Sequence, residues 1–351
     1  MNPNGHEVRT RRRSGLTALA LTCAIILSGC GVRLETPPPT EPVPDAVETV
    51  RRTAVADALR VAEQAEAAAG ADGVKADVVV ELEEISSATT EQAQQLGGEY
   101  DSGLGDILAD RSGASPSAST PKDTPRAVVT SLVDAATRTR AAADQTQDGP
   151  LGRLLASISA SQTRYAANLA HLTGSDVPDP PLTQIPEPSE SGQEPTDDET
   201  SETPGAAASG SAVVPGGLSA EDMSALVLAE DMAGYALEVR AAQANGDVRT
   251  RAHQRSREHR ARAQSWALVA GIDSTDQDPR RVAYALPGQD TTTTDLARDL
   301  EADLAQNYAS LVGVAEPGTR AVLVALLTDS TLAGAGWGAP AVPFPGLPER
   351  S

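Results

Sequence analysis

Leu226-Val227-Leu228-Ala229-Glu230-Asp231-Met232-Ala233-Gly234-Tyr235-Ala236-Leu237 is an apolar stretch with helical periodicity. Met223, Leu226, Val227, Ala233 and Leu237 share one stripe, spaced as one face of a 3.6-residue turn requires. Glu230 lies three residues after Val227, four after Leu226 and seven from both Met223 and Leu237, so it points inward with them. Ser219, followed by Glu221 and Asp222, marks the start of this helix, and Asn245-Gly246 its end. Three more helices follow on the same plan. Asp247–Gly271 carries Ala252, Ala263, Trp266 and Ala270 on one face, with His259 among them. From Asp295 to about Val314, Leu300, Leu304, Tyr308 and Leu311 face in, with Glu301 at the edge of that face. The last helix holds Val322, Leu323, Leu326 and Leu327, with Asp329 three residues after Leu326. Each helix therefore brings one polar side chain to an otherwise apolar face.

Working outward, the totals agree with an all-α protein. Aromatic residues make up 2% of the 351 residues, with one Phe and two Trp, which is thin material for a β-sandwich. Alanine dominates instead; it has the highest helix propensity and lets helices approach closely. An earlier region, 45–172, reads as a second helical bundle. Its helices begin near Asp45 and Val74, then after Pro125 and Pro150, and His171 closes the last of them as a helix-terminal cation. Pro150 and Arg153 repeat the spacing of Pro317 and Arg320, and Gln162 then falls where Asp329 does, so this region is a candidate diverged copy of the C-terminal one. Between the two, residues 173–217 are rich in Pro, Ser, Thr, Gly and acidic side chains and read as a disordered linker.

The C-terminal motifs carry a resemblance. Leu226 to Leu237, Ser256-Arg257-Glu258-His259-Arg260-Ala261-Arg262, Ala283-Tyr284-Ala285-Leu286-Pro287, Leu300-Glu301 through Tyr308-Ala309-Ser310-Leu311-Val312, and Pro343-Phe344-Pro345-Gly346-Leu347-Pro348 stand in the order and spacing of a ferritin-like domain of unknown function. That family forms the C-terminal part of actinobacterial envelope proteins. The resemblance covers residues 218–351 and implies a ferritin-like four-helix bundle without bringing an established activity.

Di-iron proteins of ferritin-like fold use a Glu on each of two helices and a Glu-x-x-His on each of the other two. This chain has no Glu-x-x-His; Glu258 and His259 are adjacent, about 100° apart around the helix. Glu230, His259, Glu301 and Asp329 remain as one inward residue per helix. Two readings stand for them: four N/O ligands to a single metal ion, or a hydrogen-bonded network in which carboxylates pair with His259 or nearby Arg. Helix 247–271 also carries Arg249, Arg251, Arg255, Arg257, Arg260 and Arg262, which surround it; some are expected to pair with the neighbouring acidic helices, the alternative being a patch for lipid headgroups or wall polymers. No nucleophile–base arrangement and no Gly-rich phosphate loop is readable, so a non-enzymatic role is expected.

The N-terminus places the protein. Arg9, Arg11, Arg12 and Arg13 precede an apolar run from Leu16 to Leu27, too short to span a bilayer comfortably. Leu27-Ser28-Gly29-Cys30 then resembles the lipobox of bacterial lipoproteins, in which the cysteine takes a diacylglyceryl group before cleavage. The expectation is a signal peptide over 1–29, lipidation at Cys30, a Pro-rich tether over 30–44, and attachment to the extracytoplasmic face of the cell membrane. Loss of residues 1–29, with four Arg and one Glu, takes the net charge from −21 to −24. That charge argues against a nucleic-acid partner and leaves membrane lipid, an envelope protein or a wall polymer. Cys23 and Cys30 are the two cysteines, so a chain starting at Cys30 has no intramolecular disulfide.

Overall fold

The computed structural model describes residues 43–101, 123–186, 213–286, 288 and 290–350. The expected signal peptide, with Leu27, Ser28, Gly29 and Cys30, and the expected tether up to residue 42 lie outside them, as do residues 187–212 of the expected linker. The described residues form eight α-helices and one 3₁₀ turn, with no strand among them: α1 Ala46–Ala69, α2 Ala76–Gln95, α3 Pro125–Gln145, α4 Gly149–Thr173, α5 Ala220–Gln243, α6 Gly246–Val269, α7 Thr293–Val314, α8 Ala321–Gly336 and the turn Pro348–Arg350. None of the helices is long and apolar enough to cross a membrane.

The helix starts follow from short polar side chains. Asp45 accepts from the Glu48 amide at 2.7 Å, Asp148 from that of Leu151 at 2.8 Å, and Thr292 from that of Asp295 at 3.1 Å. Ser219 and Asp222 satisfy each other's amides in a reciprocal capping box at the start of α5. Pro125 and Pro150 sit in the first turns of α3 and α4, where the missing N–H costs nothing. Gly174 closes α4 in the left-handed conformation, φ 63°, just after His171 in the last turn.

Each set of four helices is two hairpins, α1–α2 with α3–α4 and α5–α6 with α7–α8, and the first helices of the hairpins touch, α1 on α3 and α5 on α7. The two sets share a core. Ala54, Val55, Leu155 and Ile158 belong to one apolar cluster with Leu226, Trp266, Tyr308 and Leu323. The joint is made by α4 and α8, which pack on one another and on the opposite set's helices. Both are consequently buried on nearly every side: α4 hides Ser157, Ser159 and Ser161 as well as its leucines, and α8 hides Val324 and Ala325 beside the expected Val322, Leu323, Leu326 and Leu327. Small residues make this approach possible. A Cβ at Gly149 in α4 would stand 2.2 Å from the carbonyl oxygen of Gly313 in α7.

The ends of the linker segment are laid on this body, unlike the uniformly disordered 173–217 expected from composition. Ile185 packs against the core cluster, and Glu316 donates its amide to the Gly216 carbonyl at 2.9 Å. Arg320 pins the start of α8 to the end of α3 and the α3–α4 turn through the carbonyls of Ala143 and Thr146 at 3.2 and 2.8 Å, and to the end of α7 through that of Ala315 at 2.8 Å.

After α8 the chain runs out as a strap. Phe344 and Leu347 are buried, and Gly346, with φ +78°, lets it cross α7 where a Cβ would meet the Ala305 carbonyl oxygen at 2.6 Å. The other side of the strap belongs to the first four helices. Gln92 donates to the Pro343 carbonyl at 3.1 Å, Ser161 to that of Val342 at 2.9 Å and Ser157 to that of Pro345 at 2.7 Å. Arg153 pairs with Glu349 at 2.7 Å.

Candidate functional site: a buried ion network in the C-terminal helices

The four inward residues named from spacing meet in one place, each delivered by its own helix of the second set. His259 in α6 is fully buried between two carboxylates: Nδ1 is 2.7 Å from Glu230 Oε2 on α5, and Nε2 is 3.3 Å from Glu301 Oε1 on α7. Tyr308, two turns further along the same face of α7 as Glu301, donates its hydroxyl to Glu230 Oε1. Asp329 on α8 completes the group from the side.

Two arginines occupy the space between these acids. Arg255, four residues before His259 and on the same face of α6, meets Glu301 side-on, with Nε to Oε1 at 2.6 Å and an Nη to Oε2 at 2.8 Å. Its other Nη reaches Glu258 at 2.9 Å and Asp329 at 2.8 Å. Arg262 donates to the same Asp329 oxygen at 2.7 Å. Three carboxylates (Glu230, Glu301, Asp329) thus face three bases (Arg255, Arg262, His259), with Glu258 at the half-exposed margin.

The electrostatics follow from that count. Burial works to neutralise Glu301, but Arg255 and His259 outweigh it and hold its pKa at about 2. Burial likewise opposes charge on His259, yet Glu230 and Glu301 lift its pKa above the ordinary value. Asp329 is lowered, because Arg255 and Arg262 more than offset its burial. Arg255 is raised further, its loss of water outweighed by Glu301. Burial and the adjacent Glu230 push the Tyr308 phenol well up, so it stays a neutral donor.

This donor set does not suit a metal ion. A ligating imidazole must present a bare nitrogen, whereas both His259 nitrogens face carboxylate oxygens, and only the imidazolium can donate to both. Both oxygens of Glu301 are occupied by a guanidinium, and Asp329 is shared by two more cationic contacts. No group of three or more His, Cys, Asp or Glu among the described residues has a metal-binding arrangement. In the structure the four residues stand in the hydrogen-bonded arrangement of the second reading.

Spacing missed the two arginines because α6 carries arginine on every side. Their partners divide them. Arg251 lies over Trp337 and reaches the Gly336 carbonyl, and Arg260 pairs with Glu238 at 2.7 Å and Asp231 at 3.5 Å, while Arg249 and Arg257 are exposed. The signal that separates Arg255 was present: it precedes His259 by four and Glu258 by three. Asp231 was also passed over. It is buried and accepts from the Tyr284 hydroxyl at 2.6 Å, which anchors the Ala283-Tyr284-Ala285-Leu286 loop on α5.

The first four helices hold a neutral counterpart. Gln162 on α4 donates to Gln92 on α2 at 3.3 Å, both fully buried, and Gln92 donates to Ser161 at 3.2 Å. His259 follows Gln92 by the same number of residues as Asp329 follows Gln162. Where one half places amides, the other places charges.

Residues 223–349 match a family described as "Domain of unknown function (DUF4439)". The match takes in the whole charged network and the strap and leaves out α1–α4. No curated protein and no solved structure gives a match.

Proposed function

We propose that the protein is a lipid-anchored, extracytoplasmic lipoprotein whose helical body serves as a non-enzymatic interaction or structural module of the cell envelope. The anchor is Cys30 in Leu27-Ser28-Gly29-Cys30, which follows a basic and then an apolar segment. One observation supports the non-enzymatic half of this reading: the polar centre is closed on itself. The Arg255–Glu301 fork and the imidazolium between Glu230 and Glu301 engage both oxygens of Glu301 and both nitrogens of His259, so neither residue is free to act as a base or a ligand. A buried network of this kind, in which every charge has a counter-charge, fixes how four helices meet.

Two measurements test the reading. Cys30→Ala is expected to move the protein from the membrane fraction to the soluble one, and an unchanged membrane fraction overturns the anchor. Elemental analysis of protein loaded aerobically and anaerobically is expected to find no stoichiometric metal. Metal that is present in wild type and lost in both Glu230→Ala and His259→Ala overturns the structural role of the network in favour of a ferritin-like metal site. Crosslinking in intact cells, followed by recovery of the anchored protein, then identifies the envelope partner.

A further inference from the structure

The basic charge of this acidic chain is gathered on one helix. α6 holds six arginines against two acids, Asp247 and Glu258, a net of +4 in a chain of −21. It packs along α5 and only lightly on α7, so one long side of it meets solvent. On that side Arg249, His253 and Arg257 stand in a row, four residues apart and all exposed. Each step is about 6 Å along the axis, so the two arginines are carried roughly 12 Å apart. Neither arginine side chain has a hydrogen bond or ion pair with a described residue. The acids beside the row are already matched: Glu238 by Arg260 at 2.7 Å, and Glu258 by Arg255 at 2.9 Å and the Gln254 amide at 3.1 Å. Asp247, in the first turn of α6, faces the positive end of the helix. An open surface groove alongside, with His253, Gln254, Arg257 and Arg260 on its wall, adds donors to the row.

We propose that this row binds a linear phosphate-bearing polymer laid along α6, with phosphates on Arg249 and Arg257 and the His253 ring N–H between them. Guanidinium forks suit phosphate oxygens, and neither of these two is spent elsewhere. The imidazole has an N–H to donate in either protonation state. The shape of the row favours a chain over a membrane surface. Its cations stand in single file, with Glu238 on the α5 side and Glu258 on the other. An anionic bilayer would press against those acids and against the −25 that the rest of the chain carries; a single strand touches the row alone. Such a polymer is a partner for the interaction module proposed above, and the inference rests on that reading. Its test needs neither Cys30 nor a membrane, so a failed anchor and a failed row are told apart.

Calorimetric titration of the full-length protein against short-chain inorganic polyphosphate, with the carrier detergent alone as blank, tests it. Polyphosphate is expected to bind, and to weaken ~10-fold between about 50 and 200 mM salt, as the release of two or three counterions requires. Arg249→Gln with Arg257→Gln is expected to weaken it at least ~10-fold and to remove most of the salt dependence. Arg126→Gln with Arg281→Gln deletes the same charge from exposed positions away from α6 and is expected to weaken it less than ~2-fold. All four positions are exposed, so both double variants keep the wild-type melting temperature. Equal weakening in the two double variants overturns the row, since net charge alone then decides. No binding at about 50 mM salt overturns it as well. Orthophosphate that binds as tightly as polyphosphate overturns the polymer. Phosphatidylglycerol vesicles that bind more tightly than polyphosphate, and lose that binding in Arg249→Gln with Arg257→Gln, overturn it in favour of a membrane surface.

Discussion

The Arg255 guanidinium and the Glu301 carboxylate meet side-on between α6 and α7, at 2.6 and 2.8 Å, with Glu301 fully out of solvent. A pair so placed is costly to break and cheap to replace. Glu301→Gln leaves the guanidinium facing a neutral amide and is expected to destabilise by about 3–5 kcal/mol in urea unfolding. The joint variant Arg255→Met with Glu301→Leu is expected to cost clearly less than the sum of its single changes, since no charge is then left stranded. An additive cycle rejects the pairing as the source of the effect.

Stability is expected to respond to pH from both ends. His259 has a raised pKa, so its contribution is complete below the ordinary value of 6.5 and is lost as pH rises through the folded value. Glu301 is held down at about 2 from 4.5, so its contribution is complete above 4.5 and is lost as pH falls towards 2. His259→Gln is expected to flatten the alkaline limb and to shrink the acid limb only in part, since Arg255 remains to hold Glu301 down. An unchanged alkaline limb in that variant places the titration elsewhere.

Two glycines of the strap separate conformational from steric cost. Gly338 has φ +81° with open space around its missing Cβ, while Gly346 has φ +78° and the Ala305 carbonyl 2.6 Å from that point. Gly338→Ala is expected to cost about 1 kcal/mol, from the left-handed backbone alone. Gly346→Ala adds displacement of the strap and is expected to cost at least ~2 kcal/mol more, as a lower melting temperature. Equal costs at the two sites show that the strap gives way freely at α7.

The joint between the two helix sets is testable at Gly149. An alanine there drives a methyl into the Gly313 carbonyl at 2.2 Å, so α4 and α7 must separate. Gly149→Ala is expected to destabilise by about 3 kcal/mol or more, whereas Gly174→Ala at the open end of α4 costs about 1 kcal/mol. A mild Gly149→Ala means that the two sets slide without loss.

Much of this was legible in the sequence. Short-range chemistry fixed the helices: the capping side chains at Asp45, Asp148, Ser219 and Thr292 and the prolines at 125 and 150 stand where the helices begin. Helical spacing also identified Glu230, His259, Glu301 and Asp329 as residues that converge. It could not reveal what stands between them, because a helix with arginine all round gives periodicity nothing to sort. The shared core was hidden for a different reason. Serines 157, 159 and 161 are polar by type, yet their hydroxyls are spent on the carbonyls of Pro345, Ala136 and Val342. Backbone acceptors leave no mark in a pattern of side chains. The burial of Arg164 was unreadable for the same reason, since it is held by the carbonyls of Pro340 and Ala339.

The strap also sets an order of events during synthesis. Helices α1–α4 leave the ribosome first, but Gln92, Ser157, Ser161 and Arg164 each donate to a carbonyl of residues 339–345. The first-made half therefore waits with open donors until the last dozen residues emerge, and a chain interrupted after α8 leaves that half unfinished although every one of its own residues is present.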